Sequence, residues 1–233
     1  MRDFVVNSTF FGITLSFLVY SITVYVKNKL KIKTPFFNPL LITSIIIIVF
    51  LLVTKIDYSV YNASANYVTY WLTPVTICLA IPLYRQIEKL KQNFAAVVIA
   101  IASGCVAHAL ILCGIVMLTK LDPILFHSIL PKSVTTAIAL GLSEKIGGIM
   151  SVTIVGVSIA GLSGAVFGPS ILKLWKINEP VAQGLAMGTA SHAVGTSKAM
   201  ELGEIQGAMS SLAIVVTGVL TVIVVPIVVQ IMG

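Results

Sequence analysis

Gly184-Leu-Ala-Met-Gly-Thr-Ala-Ser-His-Ala-Val-Gly-Thr-Ser-Lys198 is the stretch that decides the fold. It holds three glycines, four hydroxyls, His192 and Lys198, and it stands between the uncharged runs 146–172 and 205–233. Each flanking run can cross a hydrocarbon core of roughly 30 Å, which takes roughly 20 apolar residues. Polar, glycine-rich backbone beside such runs is not lipid-facing helix. Unpaired N–H and C=O groups at membrane depth need protein or water around them. The stretch therefore predicts an interrupted segment inside a helical bundle.

Composition points the same way. Of 233 residues, 58% are apolar and 10% charged, and the mean hydropathy is +1.04. Soluble domains are about 45–50% apolar and about 25% charged. A water-soluble fold of this size cannot hide so much apolar surface, so a soluble enzyme, a nucleic-acid binder and a disordered chain are excluded. A transmembrane barrel is excluded too, since its strands alternate apolar and polar and these runs do not. Residues 1–233 read as one integral membrane domain, all-α and polytopic.

Uncharged runs at 4–26, 34–54, 58–84, 92–119, 133–143, 146–172, 180–197 and 205–233 give about seven or eight segments. Six are long enough to cross. The run 133–143 is too short, and 180–197 is borderline, so both either cross or re-enter. Lys27, Lys29, Lys31 and Lys33 follow the first run, whereas a cleaved signal carries its positive charge before it. Basic loops collect on the cytoplasmic side. This puts the N-terminus outside, with the loop 85–91 inside. The same rule accounts for the net charge of +7. Attraction of an anion is the lesser reading. Cys78, Cys105 and Cys113 lie in apolar runs and read as reduced packing residues, not as a disulfide framework or a metal site.

Sliding the chain against itself by about 57 residues gives a faint repeat. Pro74-Val-Thr-Ile-Cys-Leu-Ala-Ile resembles Pro131-Lys-Ser-Val-Thr-Thr-Ala-Ile, Thr136-Ala-Ile-Ala resembles His192-Ala-Val-Gly, and Gly148-Ile-Met-Ser resembles Gly207-Ala-Met-Ser. Each unit is a broken polar segment followed by a long apolar helix, the construction of transporters built from internal repeats.

Three broken stretches share this character: 72–84 with Pro74 and Pro82, 130–141 starting at Pro131, and 184–198. Pro131 is placed at a first helical position with Ser133, Thr135 and Thr136 in the first turn. Half-helix N-termini present free N–H groups and a positive dipole end, which suits a carboxylate. The predicted substrate site is Pro74, Thr76, Pro131, Ser133, Thr135, Thr136, Ser191, His192, Gly195, Thr196 and Lys198. His192 is the strongest candidate, because an ionisable group within the membrane is functional by default. His192 and Glu201 are candidates for coupling to a proton. Lys132 and Lys198 are either the cations of the site or anchors at the interface. His108 reads as a packing residue bonded to a neighbouring carbonyl, and His127 as solvated in a loop. Gly164/Gly168, Gly184/Gly188 and Gly203/Gly207 match the spacing of close helix contacts. The chain carries no Gly-rich phosphate loop, no H-E-x-x-H and no G-x-S-x-G, so no enzymatic activity, cofactor or metal is expected.

The pieces at 74–84, 130–139 and 184–199, continued by Glu201-Leu-Gly-Glu and Gly207-Ala-Met-Ser-Ser211, make the chain resemble the LrgB/CidB family of bacterial membrane proteins, related to the plastid glycolate/glycerate translocator. Thr73 departs from the Gly that many members carry there. The resemblance implies a multi-pass protein of the bacterial plasma membrane. It implies transport of small monocarboxylates such as pyruvate, glycolate or glycerate, or a holin/antiholin-like role in murein hydrolase export, autolysis and programmed cell death. It also implies a small LrgA/CidA-type membrane partner, with self-association left open and no nucleic acid involved.

Overall fold

The computed structural model describes residues 8, 10–30, 37, 39–71, 74, 77–78, 80–85, 87–92 and 94–232. They are helical, with no strand among them, and fall into two compact units, 1–78 and 79–233. The chain is a polytopic helical membrane protein. Among the described residues, three helices are long and apolar enough to cross a membrane.

In the first unit, α1 (Phe11–Lys29), α2 (Pro39–Thr54) and α3 (Tyr58–Ala65) pack through hydroxyls and small residues. Gly12 N–H donates to Ser64 Oγ at 2.6 Å, and Ser16 Oγ lies 2.8 Å from Tyr61 Oη. Asp57 caps α3, and hydrogen bonds from the Ser59 hydroxyl and backbone N–H hold its carboxyl below the usual carboxylate range. The run 58–84 is not one long helix. It gives way to a 3-10 turn at Asn66–Trp71, where Asn62, Ser64 and Asn66 interrupt the apolar sequence.

In the second unit, short helices α4 (Ala80–Arg85) and α5 (Ile87–Gln92) lead into α6 (Phe94–Thr119). Then come α7 (Pro123–Ile129), α8 (Thr136–Lys145), α9 (Met150–Leu174), α10 (Pro180–Leu202) and α11 (Glu204–Met232). At 26, 25 and 29 residues, α6, α9 and α11 are about 37–43 Å long, enough to cross.

α7 and α8 form a hairpin that enters and leaves at one end of the bundle. α7 runs alongside α9 in the same sense, since Ile149 N–H donates to Ser128 Oγ at 2.7 Å and a Cβ on Gly156 would lie 3.6 Å from Lys132 Cβ. α8 runs back against α9: Ala139 packs with Val157, and Thr153 Oγ1 donates to Ser143 Oγ at 2.7 Å. Pro131 does not start a helix. It sits fully buried in turns that continue α7 to residue 134, and the chain reverses at Thr135 (φ −62, ψ 149).

α10 is also a hairpin, and its reversal falls on His192 (φ 42, ψ −136). The arm 180–191 runs in the same sense as α11: a Cβ on Gly184 would meet Gln206 and Met209, and one on Gly188 would meet Ser210 and Ala213. The arm 193–202 runs back against α11, with Thr196 Oγ1 at 2.7 Å from Ser210 Oγ and Met200 beside Gly207. Met187 and Ala199 share a core cluster, which an unbroken helix would hold about 18 Å apart.

The hairpins match residue for residue. Each has Pro at its first position (Pro123, Pro180), twelve residues going in (123–134, 180–191), one reversing residue (Thr135, His192) and ten returning (136–145, 193–202). The offset is 57 throughout, so the repeat is real in three dimensions; the Thr136/His192 match, one step off, and the Gly148/Gly207 match fall outside that register. The two hairpin repeats are inverted. Met187, Ser191 and His192 meet Gly168, Gly164 and Gly161 in turn, so the arm 180–191 runs against α9. α9 therefore runs opposite to α11, and the hairpins enter from opposite ends. Arms of about 15–18 Å reach halfway across the bilayer.

Candidate functional site

The hairpin tips meet at a cavity of about 980 Å³. Ala96, Ser103, Gly104 and His108 of α6 form one wall, Lys132 and Ser133 the floor, and the arm from Glu179 to Ala190 the other wall. The α6 helix turns mostly small residues toward it, Ala96, Ala100, Ser103, Gly104 and Ala107, while Ile101 and Cys105 pack in a core cluster with Ala208, Met209 and Ala213 of α11. The cavity starts at the end of the bundle where Ala96 and Glu179 lie and ends midway at Lys132, Ser133 and Thr189. Its volume far exceeds that of a three-carbon acid, so in this conformation it is an open vestibule.

Among the described residues Lys132 is the only Lys or Arg on the lining, and it is half-buried. Among the described residues it has no carboxylate within ion-pair distance. His108 fixes the neighbouring turn: its Nε2 lies 3.1 Å from the Leu130 carbonyl oxygen. Leu130 and Val134 are buried on either side, so the tip is held while Lys132 and Ser133 face the opening. Glu179 marks the mouth. It occupies the position that Asp122 takes before the first hairpin, where Asp122 accepts the Ile124 N–H at 2.8 Å.

The sequence-predicted residues divide into four groups. Ser133 lines the cavity; Pro131 is buried just behind it, Thr135 makes the reversal, and Thr136 is the exposed first residue of α8. Ser191, His192, Gly195 and Thr196 form a buried knot behind the second tip. His192 Nε2 lies 3.0 Å from the Val157 carbonyl oxygen, over Gly161, and Thr196 Oγ1 donates to the His192 carbonyl at 2.9 Å. A Cβ on Gly195 would meet Ser191 and Met187, so this Gly lets the arms close. Lys198 is at the base of the hairpin, 2.5 Å from Glu201, and Glu201 is exposed. Pro74 is exposed in the first unit, and Thr76 lies outside the described residues.

For two cavity residues the structure narrows or extends the sequence reading. His108 is bonded to a carbonyl as expected but also lines the cavity. Lys132 is at a hairpin tip midway along the bundle, not at a segment end. His127, expected in a loop, lies in α7, its ring centroid 5.9 Å from that of Phe126. Thr189 was marked only as one of the four hydroxyls of 184–198, and Ser103 and Gly104 carried no distinguishing signal beyond their small size.

The LrgB-like family profile matches residues 16–231. The chain belongs to the LrgB-like family. It is 37% identical over 218 residues to the antiholin-like protein LrgB of Bacillus cereus strain B4264, covering 93% of this chain and 94% of that one. The antiholin-like protein LrgB of Bacillus anthracis strain A0248 is similar to the same extent, 37% over 218 residues. No solved structure matches. In this LrgB-like chain the cavity and both hairpins lie within the family match.

Proposed function

We propose that this chain is a carrier for small monocarboxylates such as pyruvate, glycolate or glycerate, or the carrier subunit of a pair with an LrgA/CidA-type partner. One observation carries the reading: two inverted half-crossing hairpins bring their tips to one cavity that holds a single cation, Lys132. Inverted repeats with discontinuous helices at mid-depth are the construction of alternating-access carriers. A lesion-former needs only helices that associate and has no use for such hairpins. The lone ammonium and the Ser133 and Thr189 hydroxyls suit one carboxylate. The carrier makes and breaks no covalent bond.

Orientation in the bacterial plasma membrane follows from charge. Arg85, Lys89, Lys91, Lys173, Lys176 and Lys198 belong to the end where the cavity opens, and Lys120 and Lys145 to the other. The basic end is cytoplasmic. The vestibule thus faces the cytoplasm, and the loop assignment that puts the N-terminus outside agrees with this. His192, buried against Val157, serves this reading as a structural pivot of the second tip; coupling through Glu201 would act at the hairpin base.

The second reading is a holin/antiholin-like regulator of murein hydrolase activity, autolysis and programmed cell death, favoured by the name of the Bacillus relatives. Proteoliposomes separate the two. Saturable uptake of labelled pyruvate or glycolate, with or without the LrgA-type partner, and its loss in Lys132→Met support the carrier. Leakage of an uncharged dye with no saturable uptake refutes it.

A further inference from the structure

The offset of 57 that relates the hairpins pairs Lys132 with Thr189 and Ser133 with Ala190. Both pairs line the same cavity. Equivalent positions of two inverted segments face each other across one space only where the local two-fold axis passes through that space. The axis therefore runs through the cavity floor. The charge there is not symmetric: one repeat supplies an ammonium and the other a hydroxyl.

We propose that Lys132 and Thr189 are interchangeable positions of one anion site on this axis, and that the single positive charge can come from either hairpin. The site takes one carboxylate, which the ammonium of one repeat and the hydroxyls of both hold. A second negative charge on the ligand has no second cation to meet and faces Glu179 at the mouth. The inference rests on the carrier reading for its ligand, but the charge equivalence can be tested without transport. Thr189 packs closely over Gly104 of α6, where an added Cβ would lie 3.0 Å from its Cγ2, so a longer side chain at 189 has to extend along the cavity that Thr189 lines.

The test uses the full chain in proteoliposomes with Cys78, Cys105 and Cys113 replaced and Ala190→Cys as reporter. The readout is the rate of labelling by an anionic thiol reagent divided by that for a cationic one. Lys132→Thr should lower the ratio by roughly tenfold or more, the factor expected for one unit charge a few ångström away in a partly aqueous cavity. Lys132→Arg should keep the ratio. Lys132→Thr with Thr189→Lys should restore it, and Thr189→Lys alone should raise it above the parent, which keeps the test decisive should Lys132→Thr fail to fold. An unchanged ratio in Lys132→Thr, no restoration in the double variant, or no rise in Thr189→Lys overturns the inference. Absence of saturable uptake by the parent with the ratios as expected would instead count against the carrier reading alone.

Discussion

Replacing Gly188 by alanine should destabilise the second hairpin, although alanine favours helix by about 1 kcal/mol over glycine. The added Cβ would lie 2.7 Å from Ala213 Cβ and 2.9 Å from Ser210 Cα, and closer still to the Ser210 carbonyl oxygen. Carbon atoms pack best at about 3.5–4.0 Å, so the arm 180–191 must back away from α11 by about 1 Å. The neighbours are backbone and a Cβ, with no flexible end to swing aside. Overpacking of this kind costs about 1–3 kcal/mol, which offsets or outweighs the helix term and leaves a net loss of up to about 2 kcal/mol. Gly114 is the control: a Cβ there meets nothing within 4 Å, so Gly114→Ala should gain about 0.5–1 kcal/mol. Thermal unfolding of both variants in one detergent measures the difference. At about 2–4 °C per kcal/mol for a chain of this size, the two should straddle the parent by several degrees. A Gly188→Ala variant as stable as Gly114→Ala would refute the close contact between this arm and α11.

Three other outcomes are expected. Asp122→Ala should cost about 1 kcal/mol by removing the cap on the first hairpin, whereas Glu179→Ala, which removes no side-chain cap bond, should cost far less; paired melting curves compare them. Cysteines at 120 and 145 should label from one face of the membrane and cysteines at 176 and 201 from the other, since each hairpin returns to its own side; labelling of 120 and 145 from opposite faces would show that 123–145 crosses. His192→Ala should lose about 1–3 kcal/mol with the bond to Val157, and His192→Gly should recover about 1 kcal/mol of that because φ is +42 there, as chemical unfolding of the two variants would show.

Membrane class, all-helical content and the broken character of 130–141 and 184–198 were legible in the sequence. They follow from local properties: charge density, run length, and the inability of glycine-rich polar backbone to face lipid. The repeat was half legible. Residue types gave an offset of about 57, but only Pro123/Pro180 and Glu144/Glu201 are identical in the two 23-residue hairpins, so they left the exact register loose. Equal arm lengths set it. Within the site, packing fixed what residue chemistry left open. His192 drew notice as an ionisable group in a polar stretch; its ring lies over Gly161 against the Val157 carbonyl. Lys132 had two readings, site cation or interfacial anchor, because only the fold of α7 and α8 carries it to mid-depth.

Taken alone, then, the sequence determined that this chain lives in a membrane and that two of its segments cannot be plain crossing helices. Hydrophobic run length and backbone hydrogen bonding dictate that much without reference to any neighbour. Tertiary structure decided that both segments double back, that they enter from opposite sides, and that their tips share one cavity with one ammonium. Those facts depend on which glycines face which helices, and contacts between residues far apart in the chain leave no periodic mark on it.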